Sequence, residues 1–289
     1  MVAGQNFPAR APVPNVPGMT SPSSPAIELR GVRKVFRTPS GASHTAVHGL
    51  DLTVEQGEFV AVVGPTGCGK STTLTLVSGL EEPTDGEVML SGTPVRGIDE
   101  RVGFVFQQDA TFPWRTVLSN VMAGPRFRGA PKAEAREKAR AWLARVGLSA
   151  FEDRYPHQLS GGQRKRVALA ATLVNDPSIL LMDEPFSALD VQTRALMSDE
   201  LMELWAGTGS SVVFVTHDLE ESIALADKVV VMTAGPATVK EVFTIDLPRP
   251  RRVESIRLEP RFVEIYREIW SSLGEEVRIT RERGAQRVA

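Results

Sequence analysis

A single cysteine, Cys68, is all the thiol chemistry available to this 289-residue chain. No disulfide can close within it, which fits a reducing cytosol. Long apolar runs are lacking too: nothing approaches the roughly 18 to 20 residues that span a bilayer, so any link to a membrane has to come through another protein. Charge of one sign is equally scarce, with 33 basic against 35 acidic residues and a formal net charge of -2. That balance removes the electrostatic case for nucleic-acid binding, which rests on a basic domain or face. Met1 to Pro25 is rich in Pro, Ser and Ala but has no apolar h-region. This excludes a secretory signal and predicts a disordered, polyproline-like tail over 1–25.

What is present is the composition of a soluble globular protein, 42% apolar and 24% charged, in a chain long enough for one large domain or two small ones. Ordered structure is expected from Ala26. The alternating run Ile27-Glu28-Leu29-Arg30 reads as an edge strand, and Leu50 to Val54 as another strand. Phe59 to Val63 is continuously apolar, as a strand buried on both faces would be, and it runs straight into Gly64 and a helix over about 69–78. Thr84-Asp85-Gly86 marks a turn into a short strand, Glu87 to Ser91. Parallel-strand patterns return at Ile179 to Met182, Val212 to Val215 and Lys228 to Met232. Between about 110 and 173 the character is helical, with Ala133 to Arg145 free of Gly and Pro. The pattern predicts an α/β domain over 26–247 with a mostly parallel sheet and a helical insertion. Residues 248–289 read as a basic, proline-broken linker, a short amphipathic helix and a frayed charged end. Phe262, Ile265, Tyr266, Ile269, Trp270 and Leu273 form that helix's apolar stripe, most simply buried on its own domain, with a dimer or permease contact as the other reading.

The run Gly64-Pro65-Thr66-Gly67-Cys68-Gly69-Lys70-Ser71 matches a phosphate-cradling loop between a strand and a helix. Glycines let the backbone approach phosphates, and the helix N-terminus adds partial positive charge. Lys70 is expected on the β- and γ-phosphates, the Ser71 hydroxyl on Mg²⁺, and Thr72 near the α-phosphate. Cys68, inside the loop, reads as a small filler, against the sharper reading of a catalytic thiol. Asp183-Glu184 ends an apolar strand: Asp183 suits the Mg²⁺ shell, directly or through water, and Glu184 is placed to act as general base on an attacking water. Gln107, with Gln108 as its competitor, could reach metal and water without adding charge. His217, closing the strand before Asp218, could contact the γ-phosphate and position Glu184. Phe36 could stack on adenine or be plain core or surface. A second glycine-rich anion site, Leu159-Ser160-Gly161-Gly162-Gln163, implies that the triphosphate is gripped from two sides, hence buried between two copies of the chain.

The order of Phe36, Gly64 to Ser71, Gln107, Leu159 to Gln163, Asp183-Glu184, Ser187 to Asp190 and His217 resembles the ATP-binding cassette (ABC) ATPases. The match spans about 26–245. The resemblance implies a P-loop NTPase core with an antiparallel β subdomain and a helical insertion. It further implies a head-to-tail homodimer with ATP and Mg²⁺ at the interface, each ATP held by one P-loop and by Ser160, Gly161, Gly162 and Gln163 of the other copy. Asp190 would lie in the loop coupling the two sites. Closing on ATP and opening after hydrolysis would be the transport stroke.

A cassette without membrane spans is similar to importer subunits that sit peripherally on the cytoplasmic face of the membrane and work with separate integral-membrane permeases and, indirectly, an outer substrate-binding protein. The run from Thr111 to Val121, with Pro113-Trp114, resembles the nitrate, sulfonate and taurine importer group, and it is expected to line a groove for a permease helix. A structural turn with a packed indole is the plain alternative there. The other functional class, a non-transport cassette acting on nucleic acid, ribosomes or protein complexes, usually carries paired cassettes, coiled coils or basic arms, and none is seen here.

Overall fold

A computed structural model describes residues 24–37, 41–108 and 110–288, without side chains beyond 283. The tail expected over 1–25 lies, up to residue 23, outside the described residues. The chain opens with two long antiparallel strands, β1 (Ile27–Arg37) and β2 (Ser43–Val54), followed by β3 (Phe59–Val63) and α1 (Lys70–Val77). Three short strands follow, β4 (Asp85–Leu90), β5 (Thr93–Pro94) and β6 (Val102–Val105). Four helices then occupy the insertion: α2 (Val117–Val121), α3 (Ala123–Phe127), α4 (Lys132–Arg145) and α5 (Gly161–Leu173). The α/β alternation resumes with β7 (Ile179–Asp183), α6 (Val191–Ala206), β8 (Ser211–Val215), α7 (Leu219–Leu225), β9 (Lys228–Met232) and β10 (Val239–Thr244). It closes with α8 (Val253–Ile256) and α9 (Pro260–Val288).

The strands form two sheets. One is antiparallel with order β2-β1-β4-β5; the other has order β10-β9-β3-β8-β7-β6 and is parallel except for β10. The Ile27–Arg30 segment is therefore not an edge strand: β1 pairs with β2 on one side and β4 on the other. Its alternation reports a sheet with one wet face, and such a face exists at the centre of an antiparallel sheet as well as at its edge.

Side chains alternate across a strand, and here the alternation separates two cores. Phe59, Ala61 and Val63 of β3 join the helical insertion, α7 and α9 on one face. Val60 and Val62 join α1 and the antiparallel sheet on the other. The same split sends Leu180 and Met182 one way, Ile179 and Leu181 the other. Both faces being covered explains why these strands read as continuous apolar runs.

The C-terminal region departs from expectation. α9 is 29 residues long, not short, and is helical through Val288 rather than frayed. Phe262, Ile265, Ile269 and Leu273 are buried in the core shared with α7, whereas Trp270 is exposed. Past the stripe, tertiary bonds hold the helix: Glu276 accepts from the Ala234 N–H at 2.8 Å, and Arg283 donates to the Ala234 and Gly235 carbonyls at 2.7 and 2.6 Å. The residues read as a linker are also built in. Arg251 is buried, and its guanidinium donates to the carbonyls of Ile223, Ala226, Ile245 and Leu247.

Candidate active site

Four adjacent parallel strands, in the order β3-β8-β7-β6, end on one rim of the sheet, and each delivers one expected site segment. Those segments are Gly64 to Ser71 after β3, Thr216-His217 after β8, Asp183-Glu184 at the end of β7, and Gln107 after β6. Outside the carboxyl ends of strands is where open α/β sheets bind ligands.

The loop after β3 needs its glycines. A Cβ at Gly69, where φ is 120°, would sit 2.6 Å from the Ala46 carbonyl oxygen and 2.7 Å from Ala237 Cβ. Lys70 opens α1 and is buried, its ammonium donating to the Gly64 and Pro65 carbonyls at 2.8 and 3.0 Å. Those loop carbonyls hold the cation within the loop. Thr66 and Gly67 are exposed at the loop's crest, and Thr72 is half-buried. Cys68 is buried, and burial pushes its thiol up, with Lys70 opposing; this is the setting of a packed filler rather than of a thiolate nucleophile.

Beside the loop, the Ser71 hydroxyl donates to Asp183 Oδ1 at 3.1 Å. Burial raises Asp183 above the usual carboxylate range; the Ser71 hydroxyl opposes this and the neighbouring Glu184 charge adds to it. No cluster of three or more His, Cys, Asp or Glu residues suited to a metal occurs among the described residues. A hydroxyl beside a carboxylate whose charged form is disfavoured nonetheless fits Mg²⁺, which takes one or two protein oxygens and completes its shell with phosphate and water.

Glu184 has φ of 43°, in the left-handed region that a non-glycine residue enters only when surroundings impose it. Its N–H donates to the Val215 carbonyl at 2.9 Å, pinning the bend to β8. The Gln107 side-chain amide donates to Glu184 Oε2 at 3.2 Å, and His217 Nδ1 lies 3.3 Å from the same oxygen. Of the two candidate glutamines, Gln107 is the one so engaged. The structure thus brings together Lys70, Ser71, Asp183, Glu184, Gln107 and His217.

Ser160 to Gln163 form a different kind of feature. Ser160 caps α5: its Oγ accepts from the Gln163 N–H at 3.3 Å, while Gln163 Oε1 accepts from the Ser160 N–H at 2.9 Å. Gln163 therefore spends its amide oxygen on its own helix. Asp190 caps α6 in the same way, accepting from the Thr193 N–H at 3.0 Å, which holds its carboxyl below the usual range. Phe36, on β1, is 36% exposed, with the Lys34 ammonium 5.0 Å from its ring centre. Trp114 is 71% exposed, so the reading of a packed indole does not hold. It flanks Phe112, whose ring faces a cavity of about 240 Å³ also lined by Phe104, Phe106 and Phe127.

Two participants escaped the sequence reading. Lys165, on α5, is buried and donates to the Gln107 main-chain carbonyl at 2.7 Å, joining the helix that Ser160 caps to the Gln107 segment. The basic run Arg164-Lys165-Arg166 is plain in the sequence, but nothing in it names this target. Glu221 lies buried beneath Thr216 and accepts from its hydroxyl at 2.7 Å. An acidic pair in a first helical turn normally signals only dipole compensation.

A family profile described as ABC transporter matches residues 47–187. An uncharacterized ABC transporter ATP-binding protein of Methanocaldococcus jannaschii is 46% identical over 251 residues, covering 87% of this chain and 92% of that protein. The nitrate import ATP-binding protein of Synechocystis sp. is 40% identical over 252 residues, 86% of this chain and 94% of its own. The taurine import ATP-binding protein of Chromobacterium violaceum is 43% identical over 231 residues, 78% and 88% respectively. Among solved structures, a dimeric ATP-binding cassette in a post-hydrolysis state, bound to ADP and Pi, matches with a TM-score of 0.68 at 33% identity, covering 77% of this chain and 100% of that one.

Proposed function

The chain belongs to the ABC transporter ATP-binding proteins, and on that premise we propose that it hydrolyses ATP to power an importer of nitrate, an aliphatic sulfonate, taurine or a related small molecule. The observation that carries the hydrolytic reading is the convergence of Gln107 and His217 on one oxygen, Oε2, of Glu184. Two side-chain nitrogens against one oxygen orient the carboxylate and leave Oε1 to take a proton from water.

In this reading Lys70 leaves the loop carbonyls for the β- and γ-phosphates, and the main-chain N–H groups of 64–71 hold the remaining phosphate oxygens. Ser71, Asp183 and Gln107 would hold Mg²⁺, which would supply neutralisation of the phosphate charge. Glu184 accepts a proton from the attacking water as its oxygen bonds to the γ-phosphorus and the bridging oxygen leaves with ADP. His217 steadies Glu184 and addresses the γ-phosphate. Phe36 stacks on the base. Ser160, Gly161 and Gly162 meet the γ-phosphate of the partner copy's nucleotide, with Gln163 as the brace that keeps that helix start in shape and Asp190 in the loop between the two sites. The dimeric state of the matched cassette supports this arrangement.

None of the described helices is long and apolar enough to cross a membrane. The reading therefore assigns membrane passage to permease subunits, with this chain peripheral on the cytoplasmic face, and docks a permease helix on the groove beside Phe106, Phe112 and Trp114. The test is Glu184→Gln, which keeps shape and removes the proton acceptor. The variant is expected to bind ATP, accumulate as a dimer on size-exclusion chromatography, and turn over roughly 100-fold or more slowly. Near-normal turnover would refute the assignment of Glu184.

A further inference from the structure

The turn that carries His217 is held from beneath. Thr216 Oγ1 accepts from the Asp218 N–H at 3.0 Å and donates to Glu221 Oε2 at 2.7 Å. Asp218 Oδ1 caps α7 by accepting from the Glu220 and Glu221 N–H groups at 2.9 and 3.2 Å. Its other oxygen accepts from Arg194 Nη1 at 3.0 Å, and Arg194 Nη2 donates to the Leu189 carbonyl at 3.1 Å, one residue before Asp190. Arg194 Nε and Glu221 Oε1 stand 3.8 Å apart, beyond hydrogen-bond reach, and neither has a hydrogen-bond partner among the described residues. Both line a cavity of about 240 Å³ between α6, α7 and α8, together with the buried Ser198.

We infer that Glu221 is a positioning residue for hydrolysis: through Thr216 it fixes the turn that carries His217, and through Arg194 and Asp218 it ties that turn to the loop carrying Asp190. The inference rests on the proposed roles of Glu184 and His217. Glu221 is only 5% exposed. Burial pushes its carboxyl up to about 7; the Thr216 hydroxyl opposes, Asp218 adds, Arg194 opposes and Glu184 adds. The other charged groups around the cavity are Glu220 on α7 and Glu254 and Arg257 at α8, while β3, β9 and α9 contribute apolar side chains to the core under α7.

The ionised carboxylate attracts Arg194 and accepts strongly from Thr216, so both ends of the cluster are drawn together. The neutral acid still accepts from Thr216 but leaves Arg194 to Asp218 and Leu189. The tie is therefore tight above neutrality and slack below it.

The experiment is unstimulated ATP turnover of the full chain from pH 6 to pH 9, compared with Glu221→Gln and Thr216→Val, with thermal melts in the same buffers to verify folding. Gln keeps the acceptor for Thr216 but is uncharged at every pH. The unaltered chain is expected to gain turnover through about pH 7. Glu221→Gln should stay near its low-pH level, roughly five-fold below at pH 8, with KM for ATP changed less than about two-fold. Thr216→Val, which cuts the relay at the hydroxyl, should lose the same rise. Hydrolysis with superimposable profiles overturns the inference alone. No hydrolysis by the unaltered chain overturns the proposed function and the inference with it.

Discussion

Around Gly64 to Ser71, apart from the Lys70 bonds within the loop, the links run to a neighbouring strand, through Asp183 and onward to Glu184, Gln107 and His217. Around Ser160 to Gly162 they come from the helix that this run begins. The first turn sits on a rim whose geometry the sheet register imposes, so its groups meet without outside help. The second is a helix start whose Gly161 and Gly162 N–H groups have no intrahelical acceptor, and an anion from elsewhere would complete it. In the proposed reading, one half-site is assembled by folding and the other is completed by a second chain.

The strongest way to break that comparison is to separate the halves genetically. Lys70→Ala and Ser160→Arg should each reduce turnover of the pure protein roughly 100-fold or more. Mixing the two inactive proteins should restore up to roughly a quarter of wild-type turnover, because half the dimers then contain one intact composite site. No recovery in the mixture would mean that each chain uses its own Ser160.

A smaller effect is expected where the helical half meets its proposed membrane partner. With permease present, Trp114→Ala should lower stimulated turnover roughly five-fold while changing basal turnover much less. Equal losses in both would show that Trp114 supports the fold or the nucleotide site instead.

The smallest effect sharpens the contrast within the strand-borne half. Glu221 binds its proton more tightly when folded than when unfolded. Stability should therefore fall as pH rises from about 4.5 to about 7, the penalty being complete above that. A shift of that size corresponds to about 3 kcal/mol, with Asp218 adding to it and Arg194 opposing it. Glu221→Gln should melt with less pH dependence than wild type over this range and higher than wild type at pH 8. Parallel melting curves would place the buried charge elsewhere.

What was legible in the sequence followed from how local each signal is. The loop from Gly64 to Ser71 declares itself because glycine spacing, a preceding apolar strand and a following helix all lie within about twenty residues. Asp183-Glu184 and His217 were visible as polar residues closing apolar runs, since a strand's carboxyl end is where an α/β sheet can afford them. Gln107 and Gln108 could not be ranked, because the choice depends on where Glu184 points, and Glu184 reaches its position through a backbone angle that no pattern encodes. The centrality of β1 was illegible for a related reason: its partners β2 and β4 are set by pairing, not by alternation. Glu221 was passed over because burial of an acid is a property of its neighbours.

Arg251 carries a lesson for anyone wishing to shorten this protein. Its guanidinium works as a rivet, joining the carbonyls at the end of α7 to those leading out of β10. A chain trimmed at the apparent domain edge near residue 247 would lose that rivet together with the apolar seam of α9. The acceptors left behind include Ile223, two residues from Glu221 on the helix that steadies the His217 turn. What looks like an appendage is thus a clamp on the candidate catalytic rim, and fusions or tags belong beyond it.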